Sequence, residues 1–230
     1  MDFDKLNNLK GFMPQHEGEA LAKWAQRFST MGPALEIGTF GGKSSLYIAA
    51  GSSMNEQLVF TIDHHKGSEE HQTGEEYFDP DIYDESLGRV NTVPLMQANF
   101  SQFEESKYII QMITNANLLA PIWVIKLGLL FIDGSHTEIS AQNDYANWKT
   151  KIVKGGALVI HDIFENPEEG GQAPFLIYQK ALEVYLLSEK INPKNNFGIQ
   201  KAQLFAKIEE VELNKKIGEI CRGRSEIEWG

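Results

Sequence analysis

Apolar positions along this chain recur with two alternating periods. Over residues 17–28 they return every three to four positions, with Leu21, Trp24 and Phe28 on one side, which predicts an amphipathic helix. Gly32 and Pro33 break it. Residues 34–37 are a short apolar run and predict a buried strand; a glycine-rich turn follows, and residues 44–50 open a helix. A second strand is expected over 57–62, ending at Asp63, and a third over 93–97, followed by a helix over 104–117. The strongly apolar run 127–132 predicts a fourth strand that ends at Asp133. A helix over 138–153 would turn Ile139, Trp148 and Ile152 to the core. Gly155 and Gly156 lead into a strand at 157–160, which ends at His161 and Asp162. A helix over 173–190 and a late strand over 202–208 complete the series.

Alternating strands and helices predict an α/β fold, a parallel sheet with helices on both faces. In such sheets ligands bind beyond the carboxyl ends of the strands. Asp63, Asn99, Asp133, His136, His161 and Asp162 all fall at or just after the expected strand ends, so the topology gathers residues that are distant in sequence. Residues 64–92 interrupt the rhythm. They are polar and too long for an ordinary connection, and a loop of that length is usually functional or mobile. His64, His65 and His71, with Glu69 and Glu70 among them, have metal-ligand types, but histidines that hold the shape of a polar loop explain them better.

The segment ALEIGTFGGKSS runs strand, glycines, helix. Glycines let a backbone approach a ligand, and the helix start offers free N–H groups and a positive dipole end. The spacing is neither the dinucleotide G-x-G-x-x-G nor a P-loop. Glu36 precedes the first glycine, where a cationic amine would be welcome and a pyrophosphate would not. Asp63 ends the next strand, where a carboxylate accepts ribose hydroxyls.

A length of 230 residues suits one domain, divided here as a helical segment 1–33, a core 34–208 and a tail 209–230. The net charge of −11 argues against nucleic acid and anionic membranes as partners. One cysteine, Cys221, excludes an intrachain disulfide and suits a reducing cytoplasm. The first ten residues carry acids and no apolar core, unlike a secretory signal, and the most apolar stretch, 118–132, is too short and interrupted to span a membrane.

The motif EIGTFGGKS, with an acid at the end of strand two, resembles motifs one and two of class I S-adenosylmethionine-dependent methyltransferases, and more closely the catechol O-methyltransferase-like bacterial small-molecule enzymes. That resemblance covers roughly residues 34–164. It implies a Rossmann-like, seven-stranded, mostly parallel sheet and S-adenosylmethionine as cofactor. It implies that Glu36, Gly38, Thr39, Gly42 and Ser44 hold the methionine part, that Asp63 and His64 hold the ribose, and that Asn99 lies by the adenine. Asp133 matches an acid that borders the cofactor and binds a divalent metal, and Asp162 matches a second metal acid; beside them either His161 or a loop residue would supply the missing ligand. His136 occupies the position of the general base, where those enzymes have lysine; Ile163 stands where they usually have asparagine. Imidazole is a competent base near neutral pH. The expected acceptor is a small hydroxylated molecule. Residues 64–92 and 165–174 also resemble recurrent loops of a bacterial subgroup and are expected to line or cover the acceptor pocket. A homodimer would use the N-terminal helix and the tail. Two other classes fit the same sheet: a nucleotide-dependent oxidoreductase, and an S-adenosylmethionine-binding protein without catalysis.

Overall fold

The computed structural model describes residues 1–75, 78–135, 137–182, 186–190 and 203–206. Seven strands form the main sheet: β1 (Ala34–Ile37), β2 (Val59–Asp63), β3 (Ile109–Ile113), β4 (Leu127–Ile132), β5 (Ile152–Ile160), β6 (Leu186–Lys190) and β7 (Gln203–Ala206). Their spatial order is β3-β2-β1-β4-β5-β7-β6. The parallel part has five strands rather than seven, β3 through β5. The expected seven is reached only with β6 and β7, which join the edge by antiparallel pairing through β7.

Helices cover both faces. On one face α1 (Phe3–Asn7), α2 (Gln15–Phe28), α3 (Lys43–Ser52) and α4 (Val93–Phe100) bury Leu6, Trp24, Leu46 and Phe100 against Leu129 and Phe131. On the other, α5 (Ala116–Leu119), α6 (Glu138–Trp148) and α7 (Ala173–Leu182) pack Tyr145, Trp148 and Ile177 against Leu130 and Ile132. The side-chain alternation along β4 thus feeds both layers, and all six of its residues are buried, as a central parallel strand requires. Each such large apolar side chain contributes about 1.5–3 kcal/mol on burial. The strand order reverses between β1 and β4, so the crevice for a ligand opens above their carboxyl ends. Among the described residues no helix is long and apolar enough to cross a membrane.

Several expected elements are placed differently. Residues 93–97 are not a strand but the start of α4; Pro94 sits in its first turn, where a missing N–H costs nothing, and Met96 and Phe100 return at helical spacing. The third strand is instead Ile109–Ile113, inside the expected helix 104–117, where Ile109 pairs with Val59 and Ile113 with Asp63. α6 stops at Trp148; Ile139 is exposed, and Ile152 is buried as the first residue of β5. The expected helix 173–190 ends at Leu182, and Leu186–Lys190 is a strand. α2 buries Leu21, Trp24 and Phe28 in the protein's own core, so this face is not free for a dimer; the tail 209–230 lies outside the described residues.

Candidate functional site

The glycine-rich turn is shaped by what surrounds it. Gly38 has a φ of 94°, and a Cβ there would lie 1.9 Å from the carbonyl oxygen of Asp133. Gly42 caps α3 in the left-handed region, and a Cβ would meet the Phe100 ring at 2.3 Å. The turn is tied down by Asp63. Its Oδ2 accepts from the backbone N–H groups of Thr39 and Phe40, at 2.9 Å each, while Oδ1 accepts from His65 N–H at 2.7 Å. Asn99 does not sit at a strand end. It is on α4 and donates from Nδ2 to the Gly41 carbonyl at 2.8 Å, so it supports the turn from behind.

Glu36 is fully buried under the turn. Its carboxylate accepts from Ser44 Oγ at 2.5 Å, from Thr61 Oγ1 at 2.6 Å and from Ser45 Oγ. Burial raises its pKa and the three hydroxyls lower it, leaving it at about 7. This carboxylate is occupied by three hydroxyls and lies beneath the turn, not among the residues that line the cavity.

A cavity of about 510 Å³ opens above β1 and β4. Gly38, Thr39, Phe40, Gly41, Lys43 and Ser44 line one side, with Asp63 and His64 beside them. Thr114, Asn115, Ala116 and Asn117, at the end of the true third strand, occupy the place expected for Asn99. Asp133, Gly134, Ser135 and Asp162 line the far side.

There the two strand-end acids meet a histidine. His161 Nδ1 lies 3.0 Å from Asp133 Oδ1 and 3.3 Å from Asp162 Oδ2. Its Nε2 lies 2.9 Å from Glu17 Oε2. Burial opposes a charge on His161, but Asp133 and Asp162 outweigh it and hold the imidazole well above its ordinary pKa. Asp133, His161 and Asp162 each offer a ligand atom, all within 4.8 Å of one another, and form a group able to hold a metal ion. Two carboxylates and an imidazole suit a divalent ion softer than magnesium. The donor set fits such an ion, because Glu17 on Nε2 leaves Nδ1 facing both acids. His136 lies outside the described residues; its neighbour Ser135 lines the cavity and donates to Glu69 Oε2 at 2.9 Å.

Both expected loops reach the cavity. His64, Gly67, Ser68, His71 and Glu75 contribute from residues 64–92, and Glu169, Gly170 and Gly171 from 165–174. His65 Nδ1 pairs with Thr92 Oγ1 at 2.6 Å and His71 Nδ1 with Ser68 Oγ at 2.7 Å, which gives these histidines loop-holding partners. The first loop also docks on the N-terminal segment. Lys10 pairs with Asp79 and, at 2.9 Å, with Asp81. The rings of Phe12, Phe40 and His71 cluster with centroids 5.3–5.9 Å apart.

Two buried acids at the site carry a sequence signal that periodicity alone passes over. Glu17 falls on the same helical face as Leu21, Trp24 and Phe28, where a charge needs a partner; it is not a cap, since Pro14 holds that position. Asp144 lines the cavity on the α6 face that carries Ala141, Tyr145 and Trp148. Burial raises its pKa to about 7, against a hydrogen bond from Asn117.

Comparison with known proteins agrees with this architecture. The family model described as a methyltransferase domain matches residues 35–163. The O-methyltransferase TomG of Streptomyces achromogenes, involved in tomaymycin synthesis and solved with S-adenosylmethionine, is 14% identical; the match covers 86% of this chain and 82% of TomG, with a TM-score of 0.60. An O-methyltransferase of Bacillus cereus, solved with S-adenosylhomocysteine, is also 14% identical over 89% of this chain and 90% of its own, with a TM-score of 0.58. At this identity the two structures speak for the fold, while the family model spans more than half of the chain and leaves the oxidoreductase alternative without support. The protein with the turn at Gly38–Gly42 and the acids at Asp63 and Asp133 belongs to the methyltransferase domain family.

Proposed function

We propose that this protein transfers a methyl group from S-adenosylmethionine to a hydroxyl of a small molecule. The observation that carries the reading is the single cavity wall running from the glycine-rich turn to the Asp133–Asp162 pair, in a chain of the methyltransferase family. Gly38, Thr39 and Ser44 hold the methionine part, Asp63 and His64 the ribose, and the Thr114–Asn117 stretch the base. Asp133 borders the methyl group. The net charge of −11 favours a small acceptor over a nucleic acid, and the reducing cytoplasm is the proposed location.

In the reaction the acceptor oxygen forms a bond to the methyl carbon as the sulfur–carbon bond breaks, and S-adenosylhomocysteine leaves. The sulfonium supplies its own electrophilicity, so the protein has to orient the oxygen, exclude water and take one proton. His136, three residues after Asp133, is the proposed proton acceptor, by its place in the sequence. A divalent ion held by Asp133, His161 and Asp162 would lower the pKa of the acceptor hydroxyl.

Calorimetric titration tests the cofactor: S-adenosylmethionine and S-adenosylhomocysteine bind, and NAD does not. The reverse preference would sink the reading. With a panel of phenols and catechols as acceptors, His136→Ala is expected to slow turnover by about 10²–10⁴-fold while S-adenosylhomocysteine binds as before. Unchanged turnover would remove His136 from the chemistry.

A further inference from the structure

Glu17 stands 144 residues from His161 in the chain, yet its carboxylate meets the imidazole at 2.9 Å. Both side chains are almost wholly removed from solvent. A buried carboxylate on α2 is costly unless it is used, and the local sequence offers no reason for it, because the rest of that face is apolar. We infer that Glu17 is a positioning residue for a divalent-cation site formed by Asp133, His161 and Asp162. The inference rests on the cation reading given above and extends it to a residue outside the family-matched segment.

The physical basis is the two-ended nature of imidazole. A histidine that ligates through Nδ1 must carry its proton on Nε2, and a carboxylate accepting that proton fixes the tautomer, fixes the ring plane and makes Nδ1 more basic. Glu17 meets Nε2, and Nδ1 faces Asp133 and Asp162 at 3.0 and 3.3 Å. The ring is further held by an edge contact with Phe131, at a centroid distance of 6.1 Å. His161 therefore gives Nε2 to Glu17 on α2 and turns Nδ1 toward the two acids. The remaining oxygen, Glu17 Oε1, lies 3.9 Å from the half-exposed His16 Nε2. Asp162 itself sits at a φ of 55°, in the left-handed region that aspartate enters more readily than most residues.

Cobalt(II) binding to the full chain tests this, read by calorimetry and by the visible absorption of the bound ion. Wild-type protein is expected to bind Co²⁺ with an imidazole-containing spectrum, and Asp162→Asn to abolish it. Glu17→Gln and Glu17→Leu are expected to weaken the ion by about 10–100-fold, the usual cost of losing an outer partner of a ligating histidine, with S-adenosylhomocysteine affinity and far-UV circular dichroism unchanged. Should Glu17→Leu fail to fold, the isosteric Glu17→Gln carries the test. In zinc-loaded protein labelled with ¹⁵N-histidine, the proton of His161 is expected on Nε2. Wild-type affinity in both Glu17 variants, or a proton on Nδ1, would overturn the role of Glu17 and leave the cation site standing. Co²⁺ binding in wild type no stronger than in Asp162→Asn would remove the cation site and Glu17's role with it.

Discussion

Glu36 illustrates how one residue sets a condition for the whole protein. Its carboxylate holds Ser44, Ser45 and Thr61 together, but burial leaves it with a pKa of about 7 against an ordinary 4.5. A raised carboxylate binds its proton more tightly in the native state. The unfolded chain releases that proton first as pH rises through 4.5, so stability falls until the native pKa is passed at about 7. The full cost above that pH is ~3 kcal/mol. Urea unfolding from pH 4 to 8 should show this decline in wild type and a shallower one in Glu36→Gln; parallel curves would contradict it. Asp144, raised to about 7 by burial, adds to the same slope and stays in both proteins. At this scale Asp63 and Asp133 were legible as acids ending apolar runs. The use of Glu36 was not, because a strand-end acid looks the same whether it faces a ligand or three hydroxyls. Glu17 and Asp144 show the opposite case: each breaks an apolar helical face, but the partner that explains the break lies on another element.

Among elements, the strand–turn–helix unit β1–α3 is the most constrained. Gly38 abuts the Asp133 backbone and Gly42 the Phe100 ring, so the turn is wedged between β4 and α4. Gly38→Ala is expected to be the more damaging change, because a carbonyl oxygen cannot move as a ring can. The strained backbone alone costs roughly 1–3 kcal/mol, before the overlap is counted. Urea midpoints would rank the two variants; a milder Gly38→Ala would show that β4 yields. The strands β1, β2, β4 and β5 were readable as apolar runs, β1 followed by glycines and the other three by an acid at or just after the end. α4 and β3 were exchanged, and the physics explains why. The segment Val93–Phe100 is apolar enough for a strand, and only its Pro94 and helical spacing mark it otherwise. β3 is an edge strand with Ile110 and Ile113 exposed, so the burial alternation that identifies a strand is weak there.

On the scale of the molecule, the cavity is enclosed by segments that meet from far apart in the chain. Lys10 bridges Asp79 and Asp81, and Phe12 rests on Phe40 and His71, so the N-terminal segment and the long loop brace each other over the glycine-rich turn. Ion pairs at the surface are worth about 0–1 kcal/mol. Lys10→Ala is therefore expected to speed proteolytic cutting within residues 64–92 by only ~2–5-fold, and S-adenosylhomocysteine to slow it in both proteins. Cutting rates indifferent to ligand would mean that these loops do not cover the site. The family-matched span runs from 35 to 163, whereas Glu17, Phe12 and Lys10 precede it and Glu169, Gly170 and Gly171 follow it. Two relatives can therefore share the whole matched span and still differ in the segments that line the cavity from outside it. A shortened version limited to the matched residues would lack Phe12 on one side of the cavity and Glu169, Gly170 and Gly171 on the other, and so would be a poor guide to what the cavity admits.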